Sequence, residues 1–263
     1  VICSALSAAD GEPQAGTAPT DAEWLFVEHP GPWGAKAADD LGLSVPRVRV
    51  QLIRRHGRSS PESGVRLFAA TLGAEVSVRT AVVPSLAALD DATWTPYDEP
   101  LLLVCTNGRR DRCCSELGRP VAAALAERWP DATWETTHLG GHRFSGTLLA
   151  LPAGVALGRL SVATAVSAVE ALLTGSLPDL GLVRGRAGLP GPAQAAELEL
   201  RRTAGLTGLD DVSVTGTAGD EVTLRTASGE RRATVTTTRG EPRQQSCGDA
   251  KLKAAPSYLV ALR

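Results

Sequence analysis

Apolar positions in this chain come in short runs cut by turn-forming clusters, and the spacing within each run predicts its secondary structure. WLFVE (Trp24 to Glu28) is a compact apolar run stopped by HPGPWG, which predicts a buried strand. Ala35 to Leu41 has room for one or two helical turns. VRVQLIRR (Val48 to Arg55) and VRLFAAT (Val65 to Thr71) are rich in β-branched and large apolar residues, and with HGRSSPESG between them they predict a strand pair. Residues 1–20 carry Gly11, Pro13, Gly16 and Pro19 among small polar residues without periodicity, which predicts an extended arm. Residues 1–96 thus read as a small α/β unit, bounded by the acidic, Pro-containing stretch DDATWTPYDEP (Asp90 to Pro100).

LLLVC (Leu101 to Cys105) is continuously apolar, the mark of a strand covered on both faces. A loop then leads to Arg119-Pro120 at a predicted helix start, with Val121, Leu125 and Trp129 repeating at helical spacing. ATWETT predicts another strand, and HLGGHRFSG (His138 to Gly146) a loop or broken helical turn. Thr147 to Leu160 has two apolar arms around Pro152-Ala153-Gly154, a hairpin signal. Ser161 stands at a helix start, with Val162, Val166, Val169 and Leu173 on one face and Gly175 at its end. The order strand, helix, three strands, helix predicts an α/β fold with a thioredoxin-like layout over residues 97–202: helices on a mixed sheet, with the site at strand ends. Pro190 to Arg202 predicts a further helix, and the short alternating runs of residues 203–263, from Val212 to Leu262, a C-terminal antiparallel β meander. No repeat of twenty to fifty residues is visible.

Composition narrows the function classes. Of 263 residues, 43% are hydrophobic and 21% charged, a globular balance, and the formal charge of −2 supplies no field that would draw nucleic acid or an anionic membrane. No apolar run is long enough to span a bilayer, and the opening segment has neither a basic stretch nor an apolar core of signal-peptide length, so the expectation is a cytoplasmic protein bound to no membrane. The five cysteines are an odd number, and Cys105, Cys113 and Cys114 crowd into one loop, which suits a metal or a reactive thiol better than a disulfide framework.

The candidate chemistry lies in two segments. Two of the four histidines stand in His138-Leu139-Gly140-Gly141-His142, where the glycines let the backbone approach a bulky group. Cys105-Thr106-Asn107-Gly108-Arg109-Arg110-Asp111-Arg112-Cys113-Cys114 closes the other buried strand of the same predicted sheet. Two thiols and two imidazoles suit Zn²⁺ or an iron–sulfur cluster, yet the spacing matches neither a zinc finger nor a Rieske motif. The residues alone leave three readings: a metal or cluster, a reactive thiol, or inert cysteines.

The paired motif, with Gly118-Arg119-Pro120, the N-terminal Cys-Ser-x-x-Ser and Gly-Glu-Pro-x-x-Gly-Thr-Ala-Pro, Val-Glu-His-Pro-Gly-Pro-Trp-Gly, and Gln194-Ala195-Ala196-Glu197, resembles the sucrase/ferredoxin-like family over most of the chain. The resemblance implies a thioredoxin-like ferredoxin carrying a [2Fe-2S] cluster. In the family's bis-histidinyl members the ligands are two cysteines of the Cys loop and both histidines of His-x-Gly-Gly-His; matching the Arg-Asp step to Arg110-Asp111 implies Cys105, Cys114, His138 and His142 as the residues holding the iron. Asn107 stands where a His is common in the family, at a position that is not a ligand. The family name also mentions sucrase, but glycoside hydrolysis calls for two carboxylates across a sugar, and no acidic pair here has that context.

Cys113, Arg109, Arg110, Arg112, Gly140, Gly141 and Arg143 are expected to surround the ligands. Arg109, Arg110, Arg112 and Arg119 against Asp111 and Glu116 leave a local charge of +2, which would favour an acidic redox partner, a reductase or an acceptor enzyme. The expectation is an electron carrier more than a stand-alone enzyme, with a structural Zn module or a thiol oxidoreductase using Cys105 or Cys113 as alternatives. Cys3 and Cys247 read as incidental thiols whose terminal positions allow them to be neighbours. His29 and His56 read as surface residues, and the five dispersed tryptophans as packing rather than nucleic-acid platforms.

Overall fold

The computed structural model describes residues 2–58 and 64–263; residues 59–63, part of the HGRSSPESG turn, and Val1, the first residue of the arm, lie outside the described residues. The fold is α/β, built on a ten-stranded mixed sheet with a separate four-stranded antiparallel sheet at the C-terminal end. The strands of the large sheet are β1 (Glu23–Glu28), β2 (Val48–Arg54), β3 (Val65–Thr71), β4 (Ser77–Val83), β5 (Thr95–Pro96), β6 (Leu101–Cys105), β7 (Thr133–Thr136), β8 (Leu148–Leu151), β9 (Val155–Leu157) and β10 (Val183–Arg186). Their order is β10-β9-β8-β6-β7-β2-β1-β3-β4-β5.

The two halves of this sheet share one arrangement. In the first, β1 runs parallel to β2 and antiparallel to β3, which pairs antiparallel with β4. In the second, β6 runs parallel to β7 and antiparallel to β8, which pairs antiparallel with β9. The halves meet where β2 and β7 pair antiparallel through Ile53–Thr136 and Arg54–Glu135. The predicted pair Val48–Arg55 and Val65–Thr71 are both strands, but β1 lies between them, because the parallel β1–β2 crossover places β2 on the far side.

Every residue of β6, β7, β8 and β9 is buried, so these strands read as continuous rather than alternating runs. Leu101, Leu103 and Cys105 face one core with Trp24, Phe26, Phe68 and Trp134, while Leu102 and Val104 face another under the helices. Those helices are α3 (Arg112–Arg128) and α4 (Val162–Leu173), the latter opened by a Ser161–Thr164 capping box. Helix α3 starts well before the predicted Arg119-Pro120, because Asp111 accepts the Cys113 amide as N-cap and Pro120 is accommodated inside the helix.

Residues 3–9 form a helix, α1 (Cys3–Ala9), instead of part of an extended arm; its buried face is Cys3, Ser4 and Ser7, too small and polar to register as an apolar stripe. Helix α2 (Ala37–Asp40) is a single turn within Ala35 to Leu41, where one or two were expected. Helix α5 (Gly191–Ala204) packs on the meander β11 (Ser213–Ala218), β12 (Glu221–Thr226), β13 (Gly229–Arg239) and β14 (Pro256–Leu262) through Ala193, Ala196 and Leu200 against Val222, Leu224, Ala233 and Val235. No helix is long and apolar enough to cross a membrane among the described residues.

Candidate metal centre

The ends of the parallel pair β6 and β7 deliver the two candidate segments to one place. Cys105 is the last residue of β6, and Cys114 lies in the first turn of α3, which the Cys loop brings back over the strand end. Asn107 makes that return: its Oδ1 accepts the amides of Arg109 (3.2 Å) and Arg110 (3.3 Å), and its Nδ2 donates to the Gly34 carbonyl (3.0 Å). A side chain at Gly118 would run into the Cys105 carbonyl, since a Cβ there would sit 2.0 Å from it, so glycine lets α3 lie against the strand end.

The sulfurs of Cys105 and Cys114 and a ring nitrogen of His138 lie within 4.8 Å of one another. His138 Nδ1 is 4.0 Å from Cys105 Sγ and 3.9 Å from Cys114 Sγ; His142 Nδ1 is 4.0 Å from Cys114 Sγ. The two imidazoles stack with centroids 3.8 Å apart at 9°, presenting their Nδ1 atoms on the thiol side. Both cysteines are buried and both histidines half-buried, so the thiols close the inner side and the rings the outer one. The two thiols and the His138 imidazole could hold a metal ion, and His142 stands beside them at Cys114.

The electrostatics favour ligation. The Cys114 thiol donates to Cys105 and pulls its pKa well below the ordinary thiol value against the cost of burial, with His138 adding to the effect. Cys114, as the donor and buried, is pushed up. Burial, with His138 alongside, pushes His142 down to about 4, so its imidazole is neutral at pH 7 and offers a lone pair.

Comparison with known proteins bears on the same residues. The sucrase/ferredoxin-like family model matches residues 14–185, about two thirds of the chain and all four of these side chains. The chain belongs to the sucrase/ferredoxin-like family. No curated protein and no solved structure matches it.

The flanking segments that fit this family have a structural task that sequence reasoning missed. Arg49 donates to the His138 carbonyl (2.8 Å) and Arg184 to the Gly140 carbonyl (3.0 Å), so two arginines from distant strands hold the histidine loop. The N-terminal segment holds those arginines in turn: Asp21 pairs with Arg49 (2.8 Å), Thr17 accepts from Arg184 through its hydroxyl (3.2 Å) and its carbonyl, and Glu12 pairs with Arg143 (2.7 Å). Gly140 and Gly141 have φ of +91° and +73°, and a Cβ on Gly141 would stand 2.6 Å from an Arg184 guanidinium nitrogen. The loop thus needs glycine both for its left-handed turns and for the approach of Arg184. Gln194 is fully buried and ties α5 to the same segment, accepting from the Ala18 amide (2.9 Å) and donating to the Ala18 carbonyl (3.2 Å). Only the GEPQAGTAP and QAAE signatures hinted at these clamps.

The other expected neighbours divide. Arg109, Arg110 and Arg112 are exposed, and Arg109, Arg112 and Arg119 line a groove of about 400 Å³ with Trp33 and Asn107. Cys113 is buried and points away from the histidines: Cys3, expected to be incidental, lies 3.3 Å from its sulfur, and Cys247, likewise, 3.0 Å. His56 is an exposed residue that bonds Glu135 (3.0 Å), and Trp24, Trp33 and Trp134 are core residues.

Proposed function

We propose that the chain is an electron carrier whose [2Fe-2S] cluster is held by Cys105 and Cys114 on one iron and His138 and His142 on the other. The observation that carries this reading is the donor set itself, two thiols and two imidazoles converging from two loops of a sucrase/ferredoxin-like chain. The cluster supplies a one-electron store; the protein supplies its setting. Buried thiols on the inner side exclude water, and half-buried rings on the outer side give an electron a short path to the surface. Exposed Arg109, Arg110 and Arg112 beside the centre attract a redox partner with an acidic surface, and this attraction weakens as salt rises.

The thiol–imidazole separations of 3.9–4.0 Å also suit a single tetrahedral Zn²⁺, which makes a structural zinc module the competing reading. A thiol oxidoreductase fits less well, because Cys105 and Cys113 lack the exposure a nucleophilic thiol needs. An absorption spectrum with iron and sulfide assays on protein purified without oxygen decides. Equimolar iron and sulfide with a visible chromophore that bleaches on reduction is expected; stoichiometric zinc lost on Cys105→Ser, with no chromophore, would establish the zinc module instead.

A further inference from the structure

A second group of donors lies on the other side of the α3 start. Cys3 Sγ is 3.3 Å from Cys113 Sγ, Cys113 Sγ is 3.0 Å from Cys247 Sγ, and Cys247 Sγ is 3.6 Å from Cys3 Sγ. A carboxylate oxygen of Asp111 lies with all three sulfurs inside a 4.8 Å circle. We propose that Cys3, Cys113 and Cys247 bind a thiophilic divalent cation of the zinc class, with Asp111 as fourth donor, and that this ion fastens α1 and the segment between β13 and β14 to the loop that carries the first centre. The site shares no donor with the first centre, and the zinc count expected below rests on that centre holding iron as proposed above.

Geometry supports an ion over chance packing. Three thiolates on a tetrahedral Zn²⁺ with bonds of about 2.3 Å stand about 3.8 Å apart. The observed triangle would open by about 0.5, 0.8 and 0.2 Å on its three edges to take that ion. Cys113 Sγ is approached by three groups at once, the thiols of Cys3 and Cys247 and the Ser4 hydroxyl (3.3 Å), the surroundings of an anionic sulfur. A disulfide would join two sulfurs and leave the third and the carboxylate without a role.

Charge supports it as well. The Asp111 carboxylate accepts from the Ser246 hydroxyl (2.6 Å) and from the amides of Cys247 (2.9 Å) and Cys113 (3.0 Å), which fixes an acidic oxygen beside the thiols. The α3 N-terminus and Arg112, close enough to feel Cys113 and Cys247, offset the surplus negative charge of a trithiolate site.

The position gives the ion a task. Cys3 comes from α1, Cys113 from α3, and Cys247 from residues 240–255, a stretch without strand or helix that contributes no buried apolar side chain. The Arg243–Asp10 pair (2.8 Å), half exposed, also ties it to the C-terminal end of α1. Both Cys3 and Cys247 lie outside residues 14–185, the part that matches the family. Because Cys113 and Cys114 are adjacent, and Asp111 Oδ2 is 3.8 Å from His142 Nδ1, the second site braces the ligand loop of the first.

The test is metal analysis of the whole protein, purified without chelators, for zinc and iron together, with intact mass. Wild type is expected to carry about one zinc per chain, and Cys247→Ser and Cys3→Ser each to lower it at least ~tenfold while iron and the visible spectrum stay. Cys247 lies in an irregular segment, so its replacement leaves the core intact even if Cys3→Ser does not fold. Wild type with no zinc and three alkylatable thiols overturns the proposal, as does a mass lowered by one disulfide. Zinc retained in Cys247→Ser but lost in Cys105→Ser also overturns it, and would assign that ion to the first centre.

Discussion

Cys113 and Cys114 are neighbours in sequence and face different clusters of donors. Consecutive residues on a helix point about 100° apart, so one faces His138 and His142 while the other faces Cys3 and Cys247. Cys105→Ser or Cys114→Ser is therefore expected to abolish iron binding, and Cys113→Ser to keep the visible spectrum; equal iron loss in the Cys113 and Cys114 variants would sink the assignment. The histidines add a pH signature. Their Nδ1 atoms face the sulfurs, so with iron bound at Nδ1 the free nitrogen of each ring would be Nε2. On the proposed reading an added electron makes those nitrogens more basic, so proton uptake accompanies reduction and the potential falls by ~59 mV per pH unit between the oxidised and reduced pKa values. Redox titrations over a pH series measure this, and a flat curve from mildly acidic to strongly alkaline pH would refute histidine ligation.

At the level of elements, long apolar runs were legible and polar anchoring was not. LLLVC, ATWETT and the arms around Pro152 announced the buried strands because burial on both faces removes polar residues, and the meander announced itself by alternation and glycine turns. Helix α1 escaped because its packing face is serine and cysteine, and the start of α3 escaped because its signal is one Asp side chain. The four candidate ligands could be named once the family resemblance was added to the motifs, whereas Arg49, Arg184, Glu12 and Thr17 could not, since their pairing is set by tertiary contact and leaves no local pattern. The glycines of the histidine loop mark where that hidden layer presses. Gly141→Ala puts a Cβ against Arg184 at a left-handed φ, and is expected to cost about 1–2 kcal/mol in urea unfolding and to speed iron loss. Unchanged unfolding and iron retention would show that Arg184 yields freely.

Across the whole molecule, the repeated β2-β1-β3-β4 and β7-β6-β8-β9 orders form one sheet, and Cys105, Cys114 and His138 cluster at the second of them. No sequence repeat announced this, because strand order is set by crossovers and not by residue identity. The halves join through two residue pairs of β2 and β7, too little backbone pairing to fix their relation alone. Buried charge supplies more: Glu135 of β7 accepts from Arg54 of β2 (2.8 and 3.0 Å), from Thr106 beside Cys105 (2.8 Å) and from His56. Arg54 also lies 3.9 Å over the Trp33 ring. Burial would raise the Glu135 carboxyl, but Arg54 and Thr106 hold it below the usual range. A depressed carboxylate stabilises the fold above its unfolded pKa and loses that contribution as pH falls through the unfolded value of about 4.3 towards the folded one. Glu135→Gln keeps the shape and leaves the Arg54 guanidinium buried without its partner, which is expected to cost about 3–5 kcal/mol at neutral pH. Urea midpoints of wild type and Glu135→Gln from pH 7 downwards should converge as wild type loses its carboxylate. Any acid loss of metal is common to both proteins and cancels in the difference. A gap that stays constant with pH would show that the seam is held by shape and the β2–β7 hydrogen bonds, with the ion pair as bystander.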